Sequence, residues 1–298
     1  MIFLQVVLPV FLVYGAGYLL RKKMPVDIKS VATVALYVML PCLVFESFYT
    51  TTLDLQYVNI LIFSFLLFFS IILVNLITAR FVAKTERMKN GLILATAFMN
   101  SGNYGLPIIL FAFGDAGMRY AIPYFVLTTI IMNIFGVYYA AKGKSSIAGA
   151  MKTVCKMPPT YALILGLSMN LASINLHDNI YQVIQFVSNA AVPTVMIVLG
   201  LQLAEITIKH IQWSKVLYGT IIRLLISPLL AFAILQLLPT NSLLDKVLIV
   251  IAAMPTAAIT TMYAVEFDTE PEVVSSITLF TTVISALTIS VLLYLLGV

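Results

Sequence analysis

The stretches AFMNSGNYGLP at residues 97–107 and IAAMPTAAITT at residues 251–261 each interrupt an apolar run with polar residues around a proline. Inside a bilayer no water is available for the backbone hydrogen bonds that such an interruption breaks. Interrupted spans therefore occur only where they line a cavity or are buried in protein. A matched pair in the two halves of a chain is the sequence pattern that best indicates a transporter's binding site. The two stretches predict such a site.

The composition predicts an all-α integral membrane protein. The 298 residues are 61% apolar and only 10% charged, their mean hydropathy is +1.06, and soluble domains are about 25% charged. A span needs about 20 apolar residues, so a chain of this length with short loops has room for roughly ten spans. The net charge of +5 comes from the loops, so we expect membrane lipid and no nucleic acid as a partner. The ten predicted spans lie near 3–20, 30–49, 57–81, 89–113, 118–141, 157–173, 180–204, 213–238, 244–265 and 272–297.

The basic residues of the loops predict the orientation of these spans. Short cytoplasmic loops are enriched in Lys and Arg. The loops on the opposite side carry only Arg119 and Lys246, so we expect both termini outside and the protein in the cytoplasmic membrane. Fourteen basic residues belong to the loops after spans one, three, five and seven: Arg21, Lys22, Lys23, Lys29, Arg80, Lys84, Arg87, Lys89, Lys142, Lys144, Lys152, Lys156, Lys209 and Lys215.

The two halves of the chain share landmarks at a nearly constant offset. Pro107 and Pro255 are 148 positions apart, and Gly17 and Gly166 are 149 apart. The threonine pairs at 128–129 and 281–282 differ by 153. Because each half holds five spans, the second copy enters the membrane from the other side. The landmarks predict two inverted five-helix repeats, residues 1–149 and 150–298, a pattern found in secondary transporters.

Six stretches form recognisable motifs: PPTYALILGL at 158–167, MIVLGLQL at 196–203, MNSGNYGLP at 99–107, AAMP at 252–255, AVEF at 264–267 and PE at 271–272. They resemble motifs of the auxin efflux carrier family, which includes plant auxin carriers and bacterial malate and malonate permeases. The resemblance covers essentially all ten spans, although Met99 stands where the plant carriers usually have proline.

The resemblance implies a ten-helix fold like that of bile-acid symporters and sodium/proton antiporters, in which spans four and nine cross at their breaks. Spans one, two, six and seven (about 3–49 and 157–204) would form a scaffold. Spans three to five and eight to ten (about 57–141 and 213–297) would form a transport domain that moves like an elevator. The resemblance also suggests a homodimer through the scaffold.

The residues around the interruptions suit an anionic cargo. Each broken helix leaves a half-helix start with unpaired N–H groups and about half a positive charge, which favours anions. Asn100 would offer an amide donor to a carboxylate, or would only satisfy neighbouring polar groups. Thr256 and Thr260 would line the site or bond back to helix carbonyls. The predicted substrate-binding residues are Asn100, Ser101, Gly102, Asn103, Tyr104, Gly105, Pro107, Pro255, Thr256, Thr260 and Arg223.

Ionisable residues inside spans mark function by default. Arg223 in span eight would neutralise the substrate, or pair with a carbonyl or with the Asp245 end of span nine. Glu46, Glu205 and Asn75 are candidates for a coupling-ion site, although both glutamates fall near span ends where they reach water. No cofactor is expected, apart from Na⁺ or H⁺ as a coupling ion.

The predicted function is secondary transport of organic carboxylate anions such as malate, malonate or an auxin-like acid. The alternative is an ion-coupled cation or proton antiporter, or a channel-like protein of the same fold. No catalytic motif of a membrane enzyme is present, so the sequence predicts no enzyme. The residues leave open which carboxylate is moved and in which direction.

Overall fold

The computed structural model describes residues 3–52, 54–141, 157–206 and 211–298, and these residues are helical apart from short loops and one isolated bridge. The basic residues predicted in cytoplasmic loops at 142, 144, 152, 156 and 209 lie outside the described residues. The helices are α1 Phe3–Lys23, α2 Ile28–Thr50, α3 Leu55–Phe81, α4 Glu86–Ala97, α5 Ser101–Ala140, α6 Pro158–Leu171, α7 Asp178–Glu205, α8 Trp213–Leu235, α9 Ser242–Ala252, α10 Ala258–Glu266 and α11 Pro271–Leu295.

Within the described ranges, seven helices are long and apolar enough to cross a membrane: α1, α2, α3, α5, α7, α8 and α11. The sequence predicted ten spans. The helices α4, α6, α9 and α10 have only 12, 14, 11 and 9 residues, and a continuous span needs about 20. Predicted spans four and nine are each divided at an interruption. The structure therefore confirms an all-helical, multi-pass protein, but it does not confirm that there are ten spans.

Helix α5 is two antiparallel segments joined at Gly114. This glycine has φ 60° and ψ −155°, a conformation that side chains with a Cβ rarely adopt. The hydroxyls of Ser101 and Thr128, on either side of it, are 2.8 Å apart. In a straight helix, 27 residues would separate them by about 40 Å. The chain therefore turns back on itself at Gly114.

The interrupted helices occupy the centre of the protein. Every residue from Gly91 to Ala97 at the end of α4 is buried, and so is every residue from Val247 to Ala252 at the end of α9. A helix that is apolar and buried on all faces belongs inside a bundle. Helix α3, in contrast, exposes Phe65, Phe69 and Leu73 on one side. The two interruptions therefore lie in protein, as the absence of water in a bilayer demands.

Two glycine contacts join the first half of the chain to the second. A Cβ on Gly17 of α1 would lie 2.4 Å from the carbonyl oxygen of Ile197 on α7, and one on Gly166 of α6 would lie 2.7 Å from that of Phe45 on α2. Small residues let membrane helices approach this closely. Helices α1 and α7 pair, and so do α2 and α6. Both pairs contain one helix from each half.

Two carboxylates of the acidic turn after α10 lie within ion-pair distance of one arginine. Arg87 at the start of α4 donates to Asp268 at 2.6 Å and lies 3.3 Å from a Glu270 oxygen. Thr269 between them is fully buried, and its hydroxyl donates to the carbonyl of Ala140. Spacing along the chain did not reveal Arg87 as the partner, because it comes from a distant helix.

The glycine contact between α1 and α7 gives a stability prediction. We expect Gly17→Ala to lower the free energy of unfolding by about 1–3 kcal/mol, because the new methyl group would overlap the Ile197 carbonyl. Gly15→Ala on the same helix is the matched control, since a Cβ there meets nothing within 4 Å. Thermal unfolding of the detergent-solubilised protein measures both, and equal midpoints for the two variants would contradict the close packing.

Candidate functional site

The two interruptions meet and satisfy each other's backbone. The first break is residues 98–100, between α4 and α5, and the second break is residues 253–257, between α9 and α10. The amide of Asn100 donates to the carbonyl of Pro255 at 2.8 Å, and the amide of Ala257 donates to that of Phe98 at 3.0 Å. Met99 and Thr256 form the antiparallel bridge between them. We call this contact between the breaks the junction.

The prolines of the two interruptions do not occupy matching places at the junction. Pro255 lies within the second break and accepts a hydrogen bond there. Pro107 lies beyond the first break, near the start of the regular α-helix that begins at Leu106. The residues that face each other are Met99 and Thr256. The offset of 148 between the prolines was therefore a poor guide to the register of the junction.

Asn100 carries a buried donor that has no partner in the described part of the chain. The residue is 5% exposed, and its Nδ2 group makes no hydrogen bond to any described residue. Its backbone, in contrast, is paired at both the amide and the carbonyl. An unsatisfied buried polar group costs about 1–3 kcal/mol, and such a group in a native protein calls for a water or ligand. Asn100 is therefore the strongest ligand-binding candidate at the junction.

The rest of the first interruption is packed against the protein itself. Ser101 bonds to Thr128, and a Cβ on Gly102 would lie 2.6 Å from the Phe125 ring. Gly102 is therefore required by packing, a reason that the sequence did not show. A Cβ on Gly105 would make only ordinary contacts, the nearest at 3.5 Å.

Tyr104 and Asn103 connect the start of α5 to the neighbouring helices α1 and α11. The fully buried hydroxyl of Tyr104 accepts a 2.7 Å hydrogen bond from Ser285 on α11. Its ring centre is 5.5 Å from that of Tyr14 on α1. The Tyr14 hydroxyl in turn donates to the backbone carbonyl of Asn103 at 3.2 Å. Tyr14 and Ser285 were missed by the sequence analysis, since neither belongs to a motif.

The polar side chains of the second interruption are satisfied within the protein. Thr256 donates to the carbonyl of Ala95 at 2.6 Å, and its amide donates to Thr281 at 3.2 Å. The Thr260 hydroxyl bonds back to the carbonyl of Ala257 at 2.7 Å. Both threonines are fully buried. These contacts match the second of the two roles that the sequence left open, in which the threonines bond to helix carbonyls.

Arg223 is fully buried and directed at backbone carbonyls. Its Nε donates to Met254 at 3.1 Å, and its terminal nitrogens donate to Thr96 and Ala252, each at 2.6 Å. One of them also donates to the hydroxyl of Ser227. Of the three roles considered from the sequence, the structure therefore shows pairing with carbonyls. Ser227 was missed, although its spacing of four residues places it on the same face of α8.

The three candidates for a coupling-ion site are far apart in the fold. Asn75 accepts hydrogen bonds from Thr96 and Tyr218, both at 3.0 Å. Glu205 pairs with Arg21 at 2.7 Å. Glu46 accepts from Tyr181 and Gln185 at 3.4 and 3.2 Å. In the parts of the chain that the structure describes, no three His, Cys, Asp or Glu residues form a cluster.

A cavity of about 540 Å³ lies between α2, α5 and α7. Glu46, Asp115 and Arg119 bring charge to its wall. Arg119 is held there by Asp54 at 3.1 Å and by the carbonyl of Thr52 at 2.7 Å. The cavity lies at the C-terminal end of α2 and at the turn of α5 around Gly114, both of which the charge pattern predicts to be outside. The cavity is large enough for a small organic molecule.

The contacts of Thr256 predict a structural effect for its hydroxyl. We expect Thr256→Val to lower the free energy of unfolding by about 1–3 kcal/mol, because the buried carbonyl of Ala95 would lose its donor. Thr261→Val serves as the control, since that half-buried hydroxyl makes only a 3.3 Å contact with Thr278. Thermal unfolding midpoints decide, and a Thr256 variant as stable as the Thr261 variant would refute the assignment.

Comparison with known proteins indicates a transport function. The sequence profile of a family described as "Membrane transport protein" matches residues 2–154 and 147–293. A protein of Methanothermobacter thermautotrophicus named an uncharacterized transporter is 34% identical over 196 residues, which are 65% of this chain and 64% of that protein. A second uncharacterized transporter, from Methanocaldococcus jannaschii, is 27% identical over 272 residues, 88% of this chain and 87% of the other. The first match thus spans less than two thirds of its relative.

Proposed function

The chain belongs to the membrane transport protein family, the auxin efflux carrier family that its motifs resemble, and from that premise we propose that it moves small organic carboxylate anions across the cytoplasmic membrane. The family and the names of the relatives indicate a transporter rather than an enzyme. The observation that carries the choice of substrate is the unpaired, buried Nδ2 group of Asn100. An amide donor binds a carboxylate oxygen without requiring a buried cation.

The helix ends at the junction support an anionic substrate. Helix α5 begins at Ser101 and α10 begins at Ala258, each directly after a residue that bonds to the other break. A helix start carries about half a positive charge, so two starts lie together at the junction. Buried Arg223 occupies carbonyls from the opposing helix ends. The balance of charge therefore favours a carboxylate over a cation.

We propose the architecture that the family resemblance implies. It has ten spans in two inverted repeats, with the junction as the crossing of spans four and nine. The interlocked pairs α1–α7 and α2–α6 support this arrangement. So do two matching threonine contacts, because Thr128 bonds to Ser101 of the first interruption and Thr281 to Thr256 of the second.

The proposed mechanism is an elevator-like shift of a transport domain (spans three to five and eight to ten) against a scaffold. Tyr14 and Tyr104 would lie at the boundary between the two parts, since their rings pack across it. The cavity beside Glu46 and Arg119 would give access from outside. We further propose that both termini are extracytoplasmic and that the scaffold forms a homodimer.

Flux measurements with purified protein in liposomes test the proposed function. Radiolabelled malonate, malate and indole acetate are assayed in turn, with empty liposomes as the background. We expect saturable flux of at least one carboxylate and no ionic current at channel rates. Flux of none of these acids, or currents of the size that channels carry, would refute transport of carboxylates.

The role of Asn100 gives a sharper prediction. Asn100→Ala removes a donor to a charged group, which is worth about 1.5–3 kcal/mol, so we expect flux at low substrate concentration to fall at least about tenfold. The fold should survive, because Nδ2 has no hydrogen-bond partner to lose among the described residues. Asn175→Ala, in an exposed loop, is the control. Normal flux in a well-folded Asn100 variant would remove this residue from the site.

A further inference from the structure

We propose that Arg223 fills, with its own guanidinium group, a site between the two interrupted helices that would otherwise hold a monovalent cation. On this inference carboxylate transport does not depend on Na⁺. The inference rests on the proposed function and concerns the same junction. Arg223 is then a positioning residue that holds the two interrupted helices in place. It does not need to contact the substrate, which was one of the roles considered from the sequence.

The acceptors around Arg223 resemble the ligand set of a cation. Thr96 lies in the last turn of α4, Ala252 ends α9, and Met254 lies in the second break. Their three carbonyl oxygens converge on one guanidinium at 2.6–3.1 Å. In secondary transporters, unwound carbonyls and half-helix ends of this kind coordinate the coupling cation. The side chain thus takes four protein hydrogen bonds where an ion would take oxygen ligands.

The charges at this position balance without a carboxylate. A helix end carries about half a negative charge, so the ends of α4 and α9 together supply about one unit against the single charge of Arg223. Among the ion pairs of the described residues, none involves Arg223. A buried charge must be paired, and here the two helix ends act as the counter-charge. An additional cation would be repelled by the guanidinium, and it would find none of the three carbonyl oxygens free.

Two of the three coupling-ion candidates, Asn75 and Glu205, already have partners in the protein. The Asn75 oxygen already accepts two hydroxyl groups, and Glu205 pairs with Arg21. Because the guanidinium is covalently attached, its charge stays at the junction throughout a transport cycle. A carrier with a tethered cation in place of Na⁺ gains no energy from a Na⁺ gradient.

The first experiment uses the wild-type protein in liposomes. Flux of malonate, malate and indole acetate is measured in Na⁺, K⁺ and choline media, without and with a Na⁺ gradient. We expect the initial rate to be the same in all three media. A rate that falls about tenfold or more when Na⁺ is replaced would overturn the inference, since a bound cation would then be needed.

The second experiment removes the tethered cation. Arg223→Ala frees three buried carbonyls from charge-assisted hydrogen bonds, and we expect flux to fall about tenfold or more. Millimolar guanidinium should restore part of the flux and raise the thermal unfolding midpoint of this variant. Arg223→Lys keeps the charge but loses the planar fork, so we expect intermediate flux without rescue. Asn100→Ala is the control, and guanidinium should not rescue it.

The outcomes separate this inference from the proposed function. Carboxylate flux that requires Na⁺, or a folded Arg223→Ala variant with normal flux, overturns only the role of Arg223. A folded variant that guanidinium neither stabilises nor activates does the same. Absence of carboxylate flux in every medium overturns the proposed function instead. If Arg223→Ala does not survive purification, the wild-type flux in the three media and the flux of Arg223→Lys still test the role of Arg223.

Discussion

The structure depends on one constraint, which is that two helices interrupted inside a bilayer must satisfy their broken backbone bonds without water. The first break and the second break solve this by bonding to each other through Asn100, Pro255, Phe98 and Ala257. Thr256 and Arg223 bind further carbonyls of the same helices. Among the buried side-chain nitrogen and oxygen atoms of the described junction residues, the exception is the Nδ2 group of Asn100, which has no partner.

That exception, the Nδ2 group of Asn100, determines with the surrounding charges which kind of ligand the junction favours. Four half-helix ends come together, two with positive and two with negative partial charge. Arg223 binds carbonyls of the negative ends, so the positive starts of α5 and α10 are left beside the free amide. Because Arg223 neutralises the negative helix ends, the junction favours an anion without exposing a cation in the membrane. Stability and recognition at this point share the same physical origin.

Much of this was predictable from the sequence, because the interruptions, the apolar spans and the alternating basic loops are local patterns. The membrane class and the family came from such patterns, and so did the hypothesis that Asn100 binds the substrate. The partners of Arg223 and of Thr256 were not predictable, since both contacts join segments far apart in the chain. The offset between Pro107 and Pro255 did not give the register of the junction, because the chain between break and proline differs in the two halves.

Binding of carboxylates at the junction is the central claim, and thermal unfolding of the purified protein tests it most directly. The unfolding midpoint is measured with malonate, malate and indole acetate, and with the neutral amide of each acid. A ligand at about 100 times its Kd stabilises the folded state by about 2.7 kcal/mol. We therefore predict that at least one acid raises the unfolding midpoint and that its neutral amide does not. Equal shifts for acid and amide, or no shift with any acid, would contradict the account.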